Sequence, residues 1–329
     1  MTMQMLSFIE GLQQHNYGNN PFPAVIVNDG SVTTLEQCES WIQENKSSIE
    51  DALVKSGALL FRGFPVDSAE TFDQFSAAFG YRNFTYQESL SNAVRINFTD
   101  RVFTANEAPK DVEIFLHHEM AQTPMAPSKL FFFCQSSADE GGQTPLCRSD
   151  KLFQALENEW PQAMSAFEEF GVKYTTVMPA ADDSDSGQGR SWKSTLSVES
   201  VEQAEAKLSE LGYTWDWLEN GDLKAVTPRL PAVIEFEDES KSFFNQLIAA
   251  YMGWKGVKEN PSEFIRFGDD SEIPTDVLDL AVRLAPEFTY DVPWQDGDIA
   301  LVDNYRTMHG RKPFEGERKR QVLVALALD

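Results

Sequence analysis

Two of the four histidines in this 329-residue chain stand side by side in FLHHEMAQTP, and a glutamate follows them directly. In an extended segment, side chains i and i+2 share a side. His117 and Glu119 would then face one way and His118 the other. An imidazole nitrogen and a carboxylate oxygen converging on one point make half of a metal site. The other half is offered by His309, in NYRTMHGR, the only histidine in the second half of the chain. Two histidines and one carboxylate form a facial triad that leaves three positions open on iron(II), room for a cosubstrate and dioxygen. His-x-Glu alone is a common tripeptide, and ordinary half-buried histidines account for it at least as well.

Further residues bear on the same chemistry. Arg320 follows His309 by eleven residues and enters the apolar stretch VLVALAL. A guanidinium there is expensive unless it meets an anion, and its planar fork suits a carboxylate. Snorkelling to solvent is the ordinary alternative. Arg318, two positions earlier, would face the same side and is the fallback. Thr144 in GGQTPL could give the same carboxylate a second hydrogen bond, although by itself it is only a strand start. Candidates for a polar substrate are Arg95 and Asn97 in RIN, Arg190 and Trp192 in GRSW, and Asn245 and Gln246 in FFNQ, each equally able to be structural. Arg306 and Arg311 flank His309 and read as braces or partners of surface acids. His118 packs behind the metal site and can orient a ligand. His15 has no chemical role in this reading.

These residues need elements to position them. Residues 33–55 read as an amphipathic helix with Thr33 or Thr34 as N-cap, closed by Gly57 before the strand ALLFRGF. Ser68–Phe79 is a second helix opening on a weak capping box, because its fourth residue is Thr71 rather than Glu or Gln. SKLFFFCQSS is a strand with a buried Phe run, and helices resume from about Asp150 to Phe170. The polar stretch Met178–Trp192 predicts a mobile loop, in which Asp182–Gln188 would close over the site as a lid. A helix follows near 200–212. The last forty residues alternate short strands with the turns QDGD and FEGE. Short strands early and late with helices between predict a mainly β core with surrounding helices, in one domain over 1–329 with an inserted lid and helical region at about 178–225.

Composition bounds the partners. With 52 acidic residues against 27 basic, the net charge is −25, a surface that repels nucleic acid and anionic membranes. No stretch reaches the ~18 apolar residues of a membrane span, and the start lacks a basic region followed by an apolar run. Cys38, Cys134 and Cys147 are far apart without CxxC spacing, which predicts reduced thiols and a cytoplasmic location.

The stretches GALLFRGF, VFTANEAP, LHHEM, FFFCQSSADEGGQTPL, GRSW, FFNQ and DNYRTMHGRKPFEGERKR together resemble iron(II)/2-oxoglutarate-dependent dioxygenases of the taurine dioxygenase and clavaminate synthase-like superfamily. The nearest likeness is to amino-acid hydroxylases of the syringomycin-biosynthesis type. The resemblance implies a double-stranded β-helix (jelly-roll, cupin-like) core, with iron held by His117, Glu119 and His309. It implies 2-oxoglutarate as cosubstrate, with its distal carboxylate on Arg320 and Thr144. The reaction would convert 2-oxoglutarate and dioxygen to succinate and carbon dioxide while hydroxylating an unactivated C–H bond. Two departures matter. The carboxylate is Glu119 where taurine dioxygenase-like members have Asp, and any carboxylate there argues against a halogenase, whose small residue leaves room for chloride. Val324 stands four residues after Arg320, where taurine dioxygenase-like members carry a substrate-binding arginine, which argues against a sulfonate held in that way. The expected substrate is a small polar molecule, an amino acid or a carrier-bound aminoacyl group. Rival readings are a cupin-like zinc hydrolase or isomerase and a non-catalytic jelly-roll binding protein.

Overall fold

The computed structural model describes residues 14–85, 90, 95–182 and 189–329. The first long helix, Leu35–Ser56, starts where Thr34 and Gln37 cap each other reciprocally, and it ends at Gly57, whose φ of 75° only glycine adopts cheaply. The second, Ala69–Ala77, opens on a full capping box, stronger than its sequence suggests. The Thr71 hydroxyl is short, yet it accepts from the Ser68 backbone N–H at 3.0 Å while Ser68 Oγ accepts from Thr71 N.

The chain then builds the two main sheets that carry the site. The larger has seven strands. Its main path runs Ala24–Val27, Ala58–Arg62, Ile299–Asp303, Lys129–Ser136 and Gln321–Leu328, and both Arg82–Asn83 and Val102–Thr104 pair with the last of these. The smaller has four antiparallel strands in the order Thr289–Val292, Thr144–Arg148, Thr307–Arg311 and Ile114–His117. Apart from Ala24–Val27 beside Ala58–Arg62, neighbours in both sheets join early strands to late ones, so the expected split of strands early and late is what brings the two parts together.

Strand pleating explains the Phe run. Phe132, Leu60, Ala300 and Val324 of the large sheet pack in one apolar cluster with Leu146, Tyr290 and Val292 of the small sheet. Their neighbours Phe131, Phe133, Phe61 and Leu301 point to the other face and pack with Ile42, Leu53, Phe72 and Phe75 of the two N-terminal helices. Both faces of this strand are therefore buried, which is why its hydrophobic run is continuous. A third cluster lies beyond the small sheet. It joins Met308 and Cys147 to the helices Ser149–Glu159, Pro161–Phe170, Leu247–Gly253 and Thr275–Leu284. The expected helical span from Asp150 to Phe170 is two helices, broken at Pro161.

Between these elements a third sheet is inserted, in the order Thr214–Trp217, Leu223–Val226, Val172–Met178 and Ile265–Phe267. It carries the helices Trp192–Leu196 and Val201–Glu210 over a small core of Met178, Trp192, Leu196, Leu208 and Leu223. The proposed lid falls, apart from Asp182, outside the described residues. Asp182 itself accepts a hydrogen bond from Ser191 N at 2.6 Å. Among the described residues, no helix is long and apolar enough to cross a membrane. The three cysteines are buried and unpaired, and burial pushes each thiol up to about 12.

Phe61 is fully buried and meets Phe64, Phe75 and Phe79 edge-on. Phe61→Ala should therefore lower stability by about 4 kcal/mol in urea unfolding; a loss below about 1 kcal/mol would contradict this packing.

Candidate metal centre

His117 ends the edge strand Ile114–His117, and its antiparallel neighbour places His309 directly opposite it. The two rings lie 4.3 Å apart, centre to centre. The pairing register shifts just after His309, and Gly310 stands at that point. A Cβ on Gly310 would lie 2.4 Å from the Ile114 carbonyl oxygen, so only glycine lets the two ligand-bearing strands come this close.

Glu119 reaches the same point by a different route from the one expected. The strand stops at His117, and Glu119 lies in a turn rather than in the continuing pleat. Met120 follows it with a φ of 60°, and Ala121 N donates back to the His118 carbonyl at 3.3 Å. The turn is held by Asn304. Its side chain accepts from Glu119 N at 2.8 Å and donates to Glu119 O at 3.0 Å and Pro127 O at 2.7 Å. Its own carbonyl accepts from His118 Nδ1. His118 thus packs behind the site, as expected, while Asn304 is a positioning residue of the candidate site that sequence reasoning missed. The available signal was an asparagine five residues before His309, in DNYRTMH.

One ligand atom from each of His117, Glu119 and His309 can be chosen so that all lie within 4.8 Å of one another. His117 Nδ1 donates to the Phe115 carbonyl at 2.8 Å, which fixes the tautomer and leaves Nε2 with a lone pair for a cation. Burial, and then the neighbouring His309, lowers the His117 pKa to about 4. Burial lowers His118 to about 3. Burial alone would raise the Glu119 carboxyl, but Arg95 and His309 outweigh it and hold the group well below the usual carboxylate range. Neutral imidazole beside an ionised carboxylate is the protonation state a divalent metal requires, so the donor set fits ferrous iron.

The same cavity is lined by Thr144 and Arg320. Arg320 Nε donates to Gly142 O at 2.8 Å, and Nη2 lies 3.4 Å from Thr144 Oγ1. Trp294 Nε1 donates to that hydroxyl at 3.0 Å. Desolvation, and then the charge of Arg311, lowers Arg320 to about 10, so the guanidinium is short of compensation and suited to an incoming anion. The preceding glycine has a clear reason. At Gly142, with φ of +69°, a Cβ would meet Arg320 Cδ at 2.8 Å.

Several sequence candidates lie elsewhere. Arg318 sits in a bend before the strand, so strand alternation does not apply to it, and it pairs at the surface with Asp296. Asn97 is exposed and does not line the cavity. Arg190 binds Ser194 at the start of a short helix. Trp192 is core, edge-on to Trp217 at 5.0 Å. Asn245 is buried, donates to Ala232 O and caps Leu247 N. Its neighbour Gln246 does line the cavity and donates to the His118 carbonyl at 3.1 Å. Arg95 lines the cavity too, but pairs with Glu119. Arg311 braces as expected, donating to the carbonyls of Asn106, Ala108, Pro109 and Val112. Arg306 lies over the Phe236 ring at 3.5 Å and near Asp303.

A sequence model of the taurine catabolism dioxygenase TauD, TfdA family matches residues 21–326. The chain belongs to the TauD/TfdA family. It is accordingly an iron(II)- and 2-oxoglutarate-dependent dioxygenase, which displaces the zinc-hydrolase and silent-binder readings. It is 38% identical over 320 residues to a clavaminate synthase-like protein of Arabidopsis thaliana, covering 95% of this chain and 96% of that one. It is 27% identical over 310 residues to the dapdiamide synthesis protein DdaC of Enterobacter agglomerans, covering 89% and 90%. In fold it is similar to PvcB of Pseudomonas aeruginosa, with a TM-score of 0.52 at 13% identity, covering 93% of this chain and 86% of that one. A taurine dioxygenase of Burkholderia xenovorans aligns at a TM-score of 0.50 and 16% identity, covering 87% and 81%.

The two glycines separate the two halves of this TauD/TfdA site. An added methyl at either position overpacks by about 1–3 kcal/mol, enough for about tenfold in affinity. Gly310→Ala should weaken iron binding by about that factor, and Gly142→Ala should weaken 2-oxoglutarate while leaving iron binding near wild type. Isothermal titration under nitrogen reads both; equal losses of both ligands in both variants would count against the division.

Proposed function

We propose that this dioxygenase holds ferrous iron through His117 Nε2, His309 Nε2 and Glu119, and hydroxylates an unactivated C–H bond of a small polar substrate. The observation that carries the reading is a single cavity lined by His117, Glu119 and His309 together with Thr144 and Arg320. In it Arg320 and Thr144 receive the distal carboxylate of 2-oxoglutarate. Iron with 2-oxoglutarate supplies, when bound, the power to activate dioxygen against a C–H bond. The chain's own contribution is position and dryness. Phe132, Val322 and Val324 make an apolar floor that keeps water from the reacting centre. Arg311 holds the neighbouring loop by its four carbonyl contacts.

The substrate we favour is an amino acid or a carrier-bound aminoacyl group. Likeness along most of both chains to a dapdiamide synthesis protein supports amino-acid-related chemistry. The wall contributed by the inserted sheet and helices mixes apolar Met178, Leu196 and Leu208 with the hydroxyls of Thr176, Thr195 and Tyr213, a lining suited to a small molecule with both kinds of surface. The reading includes a jelly-roll core, one domain with the inserted region as its substrate wall, and a cytoplasmic location, for which the unpaired cysteines are the support.

The test is succinate formation by anaerobically iron-loaded protein on exposure to air, with and without a panel of free and amide-linked amino acids. His309→Ala and Arg320→Ala should each lose about 10²-fold or more of the turnover, and an accelerating compound identifies the substrate class. Wild type that neither binds 2-oxoglutarate nor forms succinate would sink the reading.

A further inference from the structure

Glu119 shares Oε2 between His309 and Arg95 and gives Oε1 to Arg95. Oε2 lies 3.4 Å from His309 Nε2, on the side where the ligand atoms gather. Oε1 makes the closer contact with Arg95 Nη2, 3.2 Å against 3.4 Å for Oε2. Both side chains are withdrawn from solvent, 7% exposed for Arg95 and 6% for Glu119. Arg95 is held where it is: its guanidinium lies 5.3 Å from the Phe103 ring centre, and Nη1 donates to Thr104 O at 3.5 Å. An arginine does not give up its proton in a protein, so this is a permanent counter-charge on the carboxylate.

The clamp on Glu119 described above acts on its main chain only. Asn304 fixes the N–H and the carbonyl and leaves the side-chain torsions unconstrained. A glutamate has one more of these than an aspartate, and a carboxylate ligates a cation with one oxygen or with both. Two-oxygen ligation would fill a coordination position that the keto acid or dioxygen requires.

We propose that Arg95 is a positioning residue: its closer grip on Glu119 Oε1 keeps ligation to the other oxygen alone and so preserves the open positions where 2-oxoglutarate chelates. This rests on the assignment of His117, Glu119 and His309 as the iron ligands. It also changes the role expected for Arg95 from contact with substrate to control of a ligand. The interaction is charge-assisted and partly buried, the class in which loss of a supporting residue commonly costs about 10–100-fold in the affinity or activity of a metal site.

The experiment compares wild type, Arg95→Met, Arg95→Lys and His309→Ala, all loaded with iron(II) without oxygen. Iron affinity is measured first. 2-Oxoglutarate is then titrated in, and the charge-transfer absorption of the chelated keto acid is followed, a readout independent of turnover. Arg95→Met keeps the apolar stem over Phe103, and urea unfolding checks its fold. The expected result is near-normal iron binding, a 2-oxoglutarate affinity lower by about tenfold or more with a weakened band, and partial recovery in Arg95→Lys. Wild-type 2-oxoglutarate affinity and band in Arg95→Met, or in Arg95→Lys if the methionine variant does not fold, would overturn the proposal. Loss of iron itself in both variants would do the same, since Arg95 would then serve loading rather than the mode of ligation. Failure of the underlying assignment is distinct: His309→Ala would then bind iron as wild type does.

Discussion

The cross-strand pair His117–His309 is the constraint on which the site depends. Directly opposed residues in an antiparallel ladder sit about 5 Å apart, close enough for two imidazoles to share one cation without any loop having to fold to order. The pair exists only because Ile114–His117 is the edge strand of the small sheet. An edge strand can stop and turn after its last paired residue, and this one does, carrying Glu119 round to the ligand point. The holding residue, Asn304, lies in the connection between Ile299–Asp303 of the large sheet and Thr307–Arg311 of the small one. One short connection therefore fixes both the approach of the two sheets and the geometry of the third ligand.

Electrostatics follows from that enclosure. Three guanidiniums, of Arg95, Arg311 and Arg320, line a cavity in a protein of net charge −25. Each has a different commitment. Arg95 faces a carboxylate, Arg311 is spent on four main-chain carbonyls, and Arg320, among the described residues, has Gly142 O, a distant threonine hydroxyl and the Phe314 ring. A buried charge with weak neutral partners is the one that gains most from a dianionic ligand. The lining carries three guanidiniums against the one carboxylate of Glu119, a balance opposite to that of the whole chain.

The ligand triad was legible because histidine is scarce: with four in the chain, two adjacent and one late, few combinations exist. Arg320 and Thr144 were singled out as an expensive charge and a hydroxyl, and the structure puts both in the lining of the cavity. The mainly β architecture with surrounding helices was legible from strands clustered at the two ends. What failed was direction. Arg318 and Arg320 share a residue type and a spacing of two, but the strand begins only at Gln321, so the alternation rule had nothing to act on. Asn97, Trp192 and Asn245 look alike as polar or aromatic residues near motifs, and only tertiary packing decides which are exposed, which are core and which cap a helix. Asn304 was invisible for a related reason. Its role is to satisfy main-chain groups of a segment 185 residues away, and no local pattern records that.

The inserted sheet has a consequence for how such proteins diverge. All three ligand candidates, with Thr144 and Arg320, come from the β layers and their connections, whereas Thr176, Met178, Thr195, Leu196, Leu208 and Tyr213 come from the insertion. The two sets of side chains meet across the cavity; Met178, Leu196 and Leu208 have a cluster of their own, although their sheet also joins the Met308 cluster through Val172 and Tyr174, and changes to well-separated clusters add nearly independently. Selection can therefore rewrite the insertion's wall, by substitution or by change of loop length, while the reactive half stays as it is. The architecture separates the choice of molecule from the treatment it receives.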